Sequence, residues 1–279
     1  MNRHQDGFTL IEISIVLLIV TLLLGYTLAM FPIQQELKQY REAKQEMARI
    51  KEAVIGFAQV NGRLPCPALP NTGGSEVVTA TGCSEFGGFV PATTLGLSGS
   101  FNADRLLLDP WGNPYRYYVT DSDFDGTNAD FVTPGEMRKV GLIDSDGDDY
   151  IDLDPNLIVC ASESSNSDDC SGNDYRVGEP DGNSPHVAYA GAPVVLISTG
   201  RNGAQAPASA EEQENGDQRV NADLGIALGP SGNDYLLNDI DTDTVFALPD
   251  GQREDFDDLV EWISSNRLFG KMIEAGQLP

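Results

Sequence analysis

Two clusters of aspartates are the residues of this sequence with the clearest chemistry. In the first, acids occupy the first, third and fifth positions of a segment whose sixth residue is a glycine. An EF-hand-type loop uses this spacing to wrap oxygen ligands around calcium. The twelfth position is Val132 instead of Glu, so the set is incomplete. The acids are Asp121, Asp123 and Asp125, and the groups that could complete the set are the Thr127 carbonyl, Asp130 and Glu136.

The second cluster lies between residues 144 and 154 and has its glycine at the fourth position instead of the sixth. No Lys or Arg lies among its acids, so these repel one another unless a cation or water screens them. At least one of the two clusters is therefore predicted to bind calcium, and a solvated acidic loop is the alternative for each. The predicted ligands of the second cluster are Asp144, Asp146, Asp148 and Asp152.

The sequence offers little for catalysis. It contains two histidines, His4 and His186, and lacks the Gly-x-Ser-x-Gly, His-Glu-x-x-His and phosphate-binding loop motifs. Carboxylates are abundant enough that two could lie at the spacing of a glycosidase pair by chance, but no motif in the sequence identifies such a pair. We therefore predict that the protein is not an enzyme.

Four cysteines follow the N-terminal region, and in an exported chain an even number usually means disulfides. Four cysteines allow three connectivities, of which we favour pairing between nearest neighbours. Cys66 and Cys83 enclose 16 residues, and Cys160 and Cys170 enclose nine. A zinc site is the alternative, but no Cys-x-x-Cys and no nearby His support it.

An apolar stretch near the N-terminus must be positioned by a membrane or by a partner. Leu10 to Phe31 comprises 22 residues with one charge, Glu12. As a helix it would be roughly 33 Å long, enough for a bilayer core of roughly 30 Å. An acid in such a segment is costly, and its natural partner is an amino group exposed by cleavage before Phe8 of a neighbouring copy. Alternatively, Glu12 lies at the headgroup boundary.

The helical pattern continues beyond the apolar stretch. Apolar residues recur at steps of three and four as far as Phe57, with charged residues between them, so one helix is predicted from Phe8 to about Val60, roughly 80 Å long. Pro32 cannot donate a hydrogen bond to the Leu28 carbonyl, which predicts a kink or a locally melted turn. A single-pass anchored domain with a helical stalk also fits this pattern.

The segment Gly7-Phe8-Thr9-Leu10-Ile11-Glu12 resembles the leader site of type IV pilins and type II secretion pseudopilins. The resemblance implies cleavage by prepilin peptidase between Gly7 and Phe8 and N-methylation of Phe8. It also implies that Glu12 pairs with the amino terminus of another subunit during polymerisation. Residues 1–7 would then be the leader, 8–60 the transmembrane and assembly helix, and 61–279 a periplasmic or extracellular head.

The formal charge of −26 lies entirely in the 219 residues from Asn61 onward, because acids and bases balance before that point. Such a head repels nucleic acid and suits divalent cations. Short strands separated by turn residues predict an α+β, pilin-like head with a small antiparallel sheet and long loops. The best strands are 115–120 and 194–199. Residues 257–273 are predicted to form a terminal helix, and 162–183 and 203–216 to be loops.

Two further segments resemble major pseudopilins. Residues 109–115 are similar to the segment that opens their sheet, and 198–203 to the Ser-x-Gly-x-Asp-Gly loop beside their calcium site, although Asn202 replaces the last acid. From the residues themselves we expect 109–115 to be a turn with a buried Trp111.

Two functions remain. In the first, the protein is a minor pilin or pseudopilin, a structural subunit that starts in the bacterial inner membrane and is assembled with other subunits into a filament. In the second, it is a calcium-stabilised adhesin or substrate-binding module displayed on such a filament. The resemblance implies that a subunit at the tip can dispense with this acid, so the presence of Glu12 favours a position beneath other subunits.

Overall fold

A 52-residue helix, α1 (Leu10–Asn61), is the longest element of the structure, which is a computed structural model. The structure describes residues 10–124, 126–140, 153, 155–161, 187–201, 245–248 and 259–279, without the side chains of 23–34 and of some strand residues. The predicted long helix is confirmed, and it continues through Pro32 without a melted turn. It ends where Gly62 takes a φ of +67° and donates its N–H to the Ala58 carbonyl at 2.8 Å.

The chain forms two compact units, Met1–Glu42 and Ala43–Pro279. In the first unit Lys38 pairs with Glu42 one helical turn away, an exposed contact that stabilises the helix little. In the part of the chain that the structure describes, no helix combines the length and apolarity that crossing a membrane requires. The membrane anchor over residues 10–31 and the domain boundaries at 7 and 60 stay predictions.

The second unit contains a four-stranded antiparallel sheet and a smaller mixed sheet. The described strands are β1 (Gly87–Phe89), β2 (Arg116–Val119), β3 (Leu157–Ala161), β4 (Val187–Ala192), β5 (Val194–Ser198), β6 (Val245–Leu248) and β7 (Leu259–Ile263). The four-stranded sheet has the order β1-β2-β5-β7, and the three-stranded sheet the order β4-β3-β6 with β3 and β6 parallel. The antiparallel head sheet and the two strands predicted at 115–120 and 194–199 are confirmed.

The four-stranded sheet is buried on both faces. Successive side chains of a strand point to opposite faces, and here they enter two different apolar clusters. Val194 and Leu196 of β5 join the cluster that contains the α1 residues from Ala43 onward. Val195 and Ile197 join a second cluster with β3. Within the second unit, α1 therefore covers one face of this sheet and the smaller sheet covers the other.

The predicted amphipathic face of α1 is confirmed from Ala43 onward, because Ala43, Met47, Ile50 and Val54 are fully buried. The terminal helix predicted over 257–273 is wrong in its first half. Residues Leu259–Ile263 form β7, which pairs antiparallel with β5, and the helix α3 covers only Ser265–Glu274. A short helix, α2 (Glu136–Val140), completes the described elements.

Candidate functional site

The N-terminal motif leads into a helix whose apolar side chains are exposed. Gly7 and Phe8 lie outside the described residues, whereas Glu12 is in the first turn of α1 and is exposed. The large apolar side chains between Leu10 and Leu22 are 42–90% exposed. The hydroxyls of Ser14 and Thr21 donate to carbonyls three residues earlier, so they need no outside partner. An apolar surface of this extent marks a contact with a membrane or with other proteins.

A buried carboxylate joins the two head segments that resemble pseudopilins. Asp109 is 4% exposed, and its Oδ1 accepts hydrogen bonds from the backbone N–H of Trp111 at 3.0 Å and of Asn113 at 2.8 Å. Its Oδ2 accepts the Ser198 hydroxyl at 2.7 Å. Asn113 in turn donates its side-chain amide to the Gly200 carbonyl at 2.5 Å. The acid and the amide therefore hold the turn at 109–113 against the end of β5.

The expected turn at 109–115 is confirmed, with Gly112 at a φ of +96°. Trp111, which was expected to be buried, is only half-buried against the core that contains α1. Burial raises the pKa of Asp109 above its usual value of 3.8, and the hydrogen bonds from Ser198 and from the backbone oppose that shift. Burial likewise raises the pKa of Tyr115, with a smaller contribution from the charge of Asp109.

Two acids of the first aspartate cluster accept hydrogen bonds that the sequence did not predict. Asp121 accepts the side-chain amide of Asn156 at 2.5 Å, and Asn156 Oδ1 accepts the Thr120 hydroxyl at 2.5 Å. Asp123 accepts the N–H of Thr127 at 3.0 Å. These bonds link the start of the loop to the residue just before β3.

One further feature of this loop fits the predicted calcium loop, and another competes with it. Gly126 takes a φ of +69°, as the turn at the sixth position requires. Asp130 is fully buried, and its Oδ2 accepts the N–H of Phe124 at 3.0 Å. The carboxyl groups of Asp121, Asp123 and Asp130 therefore accept hydrogen bonds from the backbone of this loop or from Asn156, and a cation there would share them with these donors.

Two of the seven predicted metal ligands lie within the described residues. Of the first cluster, Asp121 and Asp123 are described and Asp125 is not. Within the described residues, no group of three or more His, Cys, Asp or Glu could hold a metal ion. Calcium stays a prediction at both clusters. The ligands predicted in the second cluster, Asp144, Asp146, Asp148 and Asp152, all lie outside the described residues.

One of the two predicted disulfides is present. Cys66 and Cys83 are joined with a Cα–Cα distance of 5.3 Å. The Cys160 side chain and all of Cys170 lie outside the described residues, so their pairing stays a prediction. Next to the disulfide, Arg63 forms a two-pronged ion pair with Glu76, both bonds at 2.8 Å, and Glu76 also accepts the Cys66 N–H.

Sequence reasoning missed the roles of Asp109, Asn156 and the Arg63–Glu76 pair. Asp109 precedes Pro-Trp-Gly-Asn, and an Asp whose carboxylate accepts the N–H groups two and four residues on is a recognised turn pattern. That signal could have identified Asp109. The other two contacts join residues 36 and 13 positions apart, and no local pattern encodes them.

Comparisons with known proteins agree with the leader site. Residues 2–28 match the family described as the prokaryotic N-terminal methylation motif. The chain is also similar to the type II secretion system core protein G of Pseudomonas aeruginosa, with 30% identity over 153 residues. That alignment covers 94% of the relative but only 53% of this chain. No solved structure matches the chain.

Proposed function

The chain belongs to the family of type IV pilins and type II secretion pseudopilins, and we propose that it is a minor structural subunit of such a filament. The observation that carries this proposal is that the methylation motif, residues 2–28, runs directly into the exposed apolar turns of α1. An apolar helix of this kind gains stability only in contact with lipid or with other helices. Polymerisation through α1 would supply that contact.

In the proposed pathway, prepilin peptidase cuts between Gly7 and Phe8, and the new amino group of Phe8 is methylated. Glu12 then pairs with this amino group on a neighbouring subunit. The position of Glu12, exposed in the first turn of α1, supports that role because the acid is accessible close to the cleavage site. Pairing offsets the free energy of holding a carboxylate in an apolar environment.

The proposed partners and locations follow from this pathway. Before assembly the subunit is held in the bacterial inner membrane as a single-pass protein by residues 10–31. After assembly it lies with other pilin or pseudopilin subunits in a periplasmic or extracellular filament. The large acidic head speaks against nucleic acid as a partner.

A second candidate function is a calcium-stabilised adhesin or substrate-binding module displayed on the filament. The observation that favours it is the length of this chain, since the alignment with the core protein G leaves almost half of it without a counterpart. The turn at Gly126 fits a calcium loop, and Asp121, Asp123 and Asp130 supply oxygen atoms of the kind calcium prefers. Bound calcium would neutralise charge there and fix the loop.

The test uses the full chain, tagged and expressed in a bacterium that assembles such filaments. Peptide mass spectrometry of purified filaments should find a mature N-terminus at methylated Phe8, and Gly7→Leu should leave the precursor in the membrane. Glu12→Ala should be cleaved normally but fail to enter filaments, whereas the matched control Glu42→Ala, another exposed acid of α1, should enter them. An intact leader in assembled material would contradict the proposal.

A further inference from the structure

A tight turn in the head contains an arginine in a backbone conformation that disfavours it. The turn joins Phe101 to Leu107, which form an antiparallel bridge. It is closed by two backbone hydrogen bonds between residues 102 and 105 and between residues 102 and 106, both at 3.1 Å. At its end Arg105 has a φ of +61°, in the left-handed region. A side chain with a Cβ is strained there, and glycine is the residue that adopts this conformation without strain.

The turn itself does not require an arginine. The Asn102 Oδ1 accepts the N–H groups of Asp104 at 3.0 Å and of Leu106 at 2.9 Å, so Asn102 and the backbone fix the turn. A glycine at position 105 would keep all of these hydrogen bonds and would relieve the strain. The use of arginine must therefore be sought in what its side chain contacts.

The Arg105 side chain is exposed, and its guanidinium lies over the Phe101 ring, 5.7 Å from the ring centroid. Such a contact is weak between exposed groups, and it uses a face of the guanidinium, not its N–H groups. Among the described residues, no acid pairs with Arg105. Lys51 and Arg63, by contrast, each pair with an acid of the same subunit. The N–H groups of Arg105 are therefore available to an acid outside the subunit.

The turn is connected to a segment that contacts α1 within the second unit. Arg49 of α1 donates hydrogen bonds to the hydroxyl and to the carbonyl of Ser98. A Cβ on Gly99 would lie 3.9 Å from the Arg49 guanidinium. Because α1 is the element through which we propose that subunits assemble, a side chain three to six residues beyond this contact is close to the proposed interface.

We propose that Arg105 binds a carboxylate of the adjacent subunit in the filament. The guanidinium presents its N–H groups as a planar fork that matches the two oxygens of a carboxylate, and the Phe101 ring orients this fork before the partner arrives. A pilin-like neighbour with a composition like that of this chain offers many carboxylates, since 43 acids stand against 17 Lys and Arg here. The inference rests on the proposed function and adds to it a specific contact made by the head.

The test replaces two strained residues by glycine in the tagged full chain. Within the described residues, Asn71 is the other non-glycine residue with a positive φ, at +62°, and it serves as the matched control. Neither Arg105→Gly nor Asn71→Gly should lower the melting midpoint of the purified chain in detergent, because glycine relieves the strain at both positions. In the filament assay, Arg105→Gly should be incorporated about fivefold less than wild type, the loss expected for one exposed ion pair. Asn71→Gly should be incorporated normally.

Two further variants identify the chemistry of the partner. Arg105→Lys keeps the charge without the fork and should give an intermediate yield, whereas Arg105→Glu repels a carboxylate and should give a yield no higher than that of Arg105→Gly. Normal incorporation of Arg105→Gly or of Arg105→Glu would overturn the inference. A lower melting midpoint for Arg105→Gly would also overturn it, because the fold itself would then need the arginine. Absence of the wild-type chain from filaments would contradict the proposed function instead.

Discussion

Removing the Asp109 carboxylate should destabilise the head. Asp109→Ala deletes the acceptor of three hydrogen bonds, two from backbone N–H groups and one from the buried Ser198 hydroxyl. At about 1 kcal/mol net for each bond, the free energy of unfolding should fall by about 3 kcal/mol. For a domain of this size, that lowers the melting midpoint by roughly 6–12 °C.

Two further variants separate the contributions. Asp109→Asn keeps the Oδ1 acceptor for Trp111 and Asn113, and its amide can donate to the Ser198 hydroxyl, so it should cost about 1 kcal/mol or less. Ser198→Ala removes one bond and should also cost about 1 kcal/mol. The assay is urea unfolding of the full chain in detergent. Equal losses for the Ala and Asn variants would refute the hydrogen-bond argument.

The same site predicts how stability depends on pH. Because burial raises the pKa of Asp109 in the folded state above 3.8, the folded protein holds this proton more tightly than the unfolded chain does. The stabilisation from this group is therefore complete below about pH 3.8 and is lost as the pH rises through the raised pKa. The difference in the free energy of unfolding between wild type and Asp109→Asn should therefore shrink as the pH rises from about 3.8 through the raised pKa. An advantage that grows with pH would mean that the hydrogen bonds, and not burial, dominate.

Two further predictions concern the Cys66–Cys83 disulfide and the predicted calcium loops. Replacing Cys66 and Cys83 by Ser should lower the free energy of unfolding by about 3 kcal/mol, the loop-closure value for a separation of 17 residues; reductant should reproduce the loss in wild type but not in the variant. Calcium at a hundredfold excess over its Kd should stabilise the full chain by about 2.7 kcal/mol, more than magnesium does at equal ionic strength. Asp123→Asn and Asp146→Asn should show which loop binds it, and equal shifts with both metals would mean solvated acidic loops.

Local patterns predicted the long helix and the central strands because the spacing of apolar residues within each element shows which of its faces is buried. The period of the apolar residues from Ala43 to Val54 matches a helix with one buried face, and this face is buried. The β-branched run at 194–198 forms a strand that is buried on both faces. The disulfide could also be predicted from the sequence, because the short separation of Cys66 and Cys83 favoured their pairing.

The smaller sheet and the strand β7 could not be predicted in the same way. Leu259, Trp262 and Ile263 have helical spacing, yet the edge of β5 offers them a ladder of five residue pairs, and tertiary pairing overrides local periodicity. The parallel pairing of Ile158 with Val245 joins positions 87 residues apart. Asp109 was predicted to lie in a turn, but its bond to Ser198 depends on a strand far along the chain.

The part of α1 from Ala43 onward is synthesised long before the C-terminal residues that cover it. Gln59 donates to the Lys271 carbonyl, and Gln277 donates to the Gln59 carbonyl, across 212 and 218 positions of sequence. At a synthesis rate of roughly 5–20 residues per second, these partners emerge about 10–40 s after α1. During that interval the buried face from Ala43 to Ala58 has no β7 or α3 to pack against. Synthesis of this chain therefore exposes the apolar face of α1 before the residues that bury it are made, and this face must be kept from aggregating until residues 259–278 are complete.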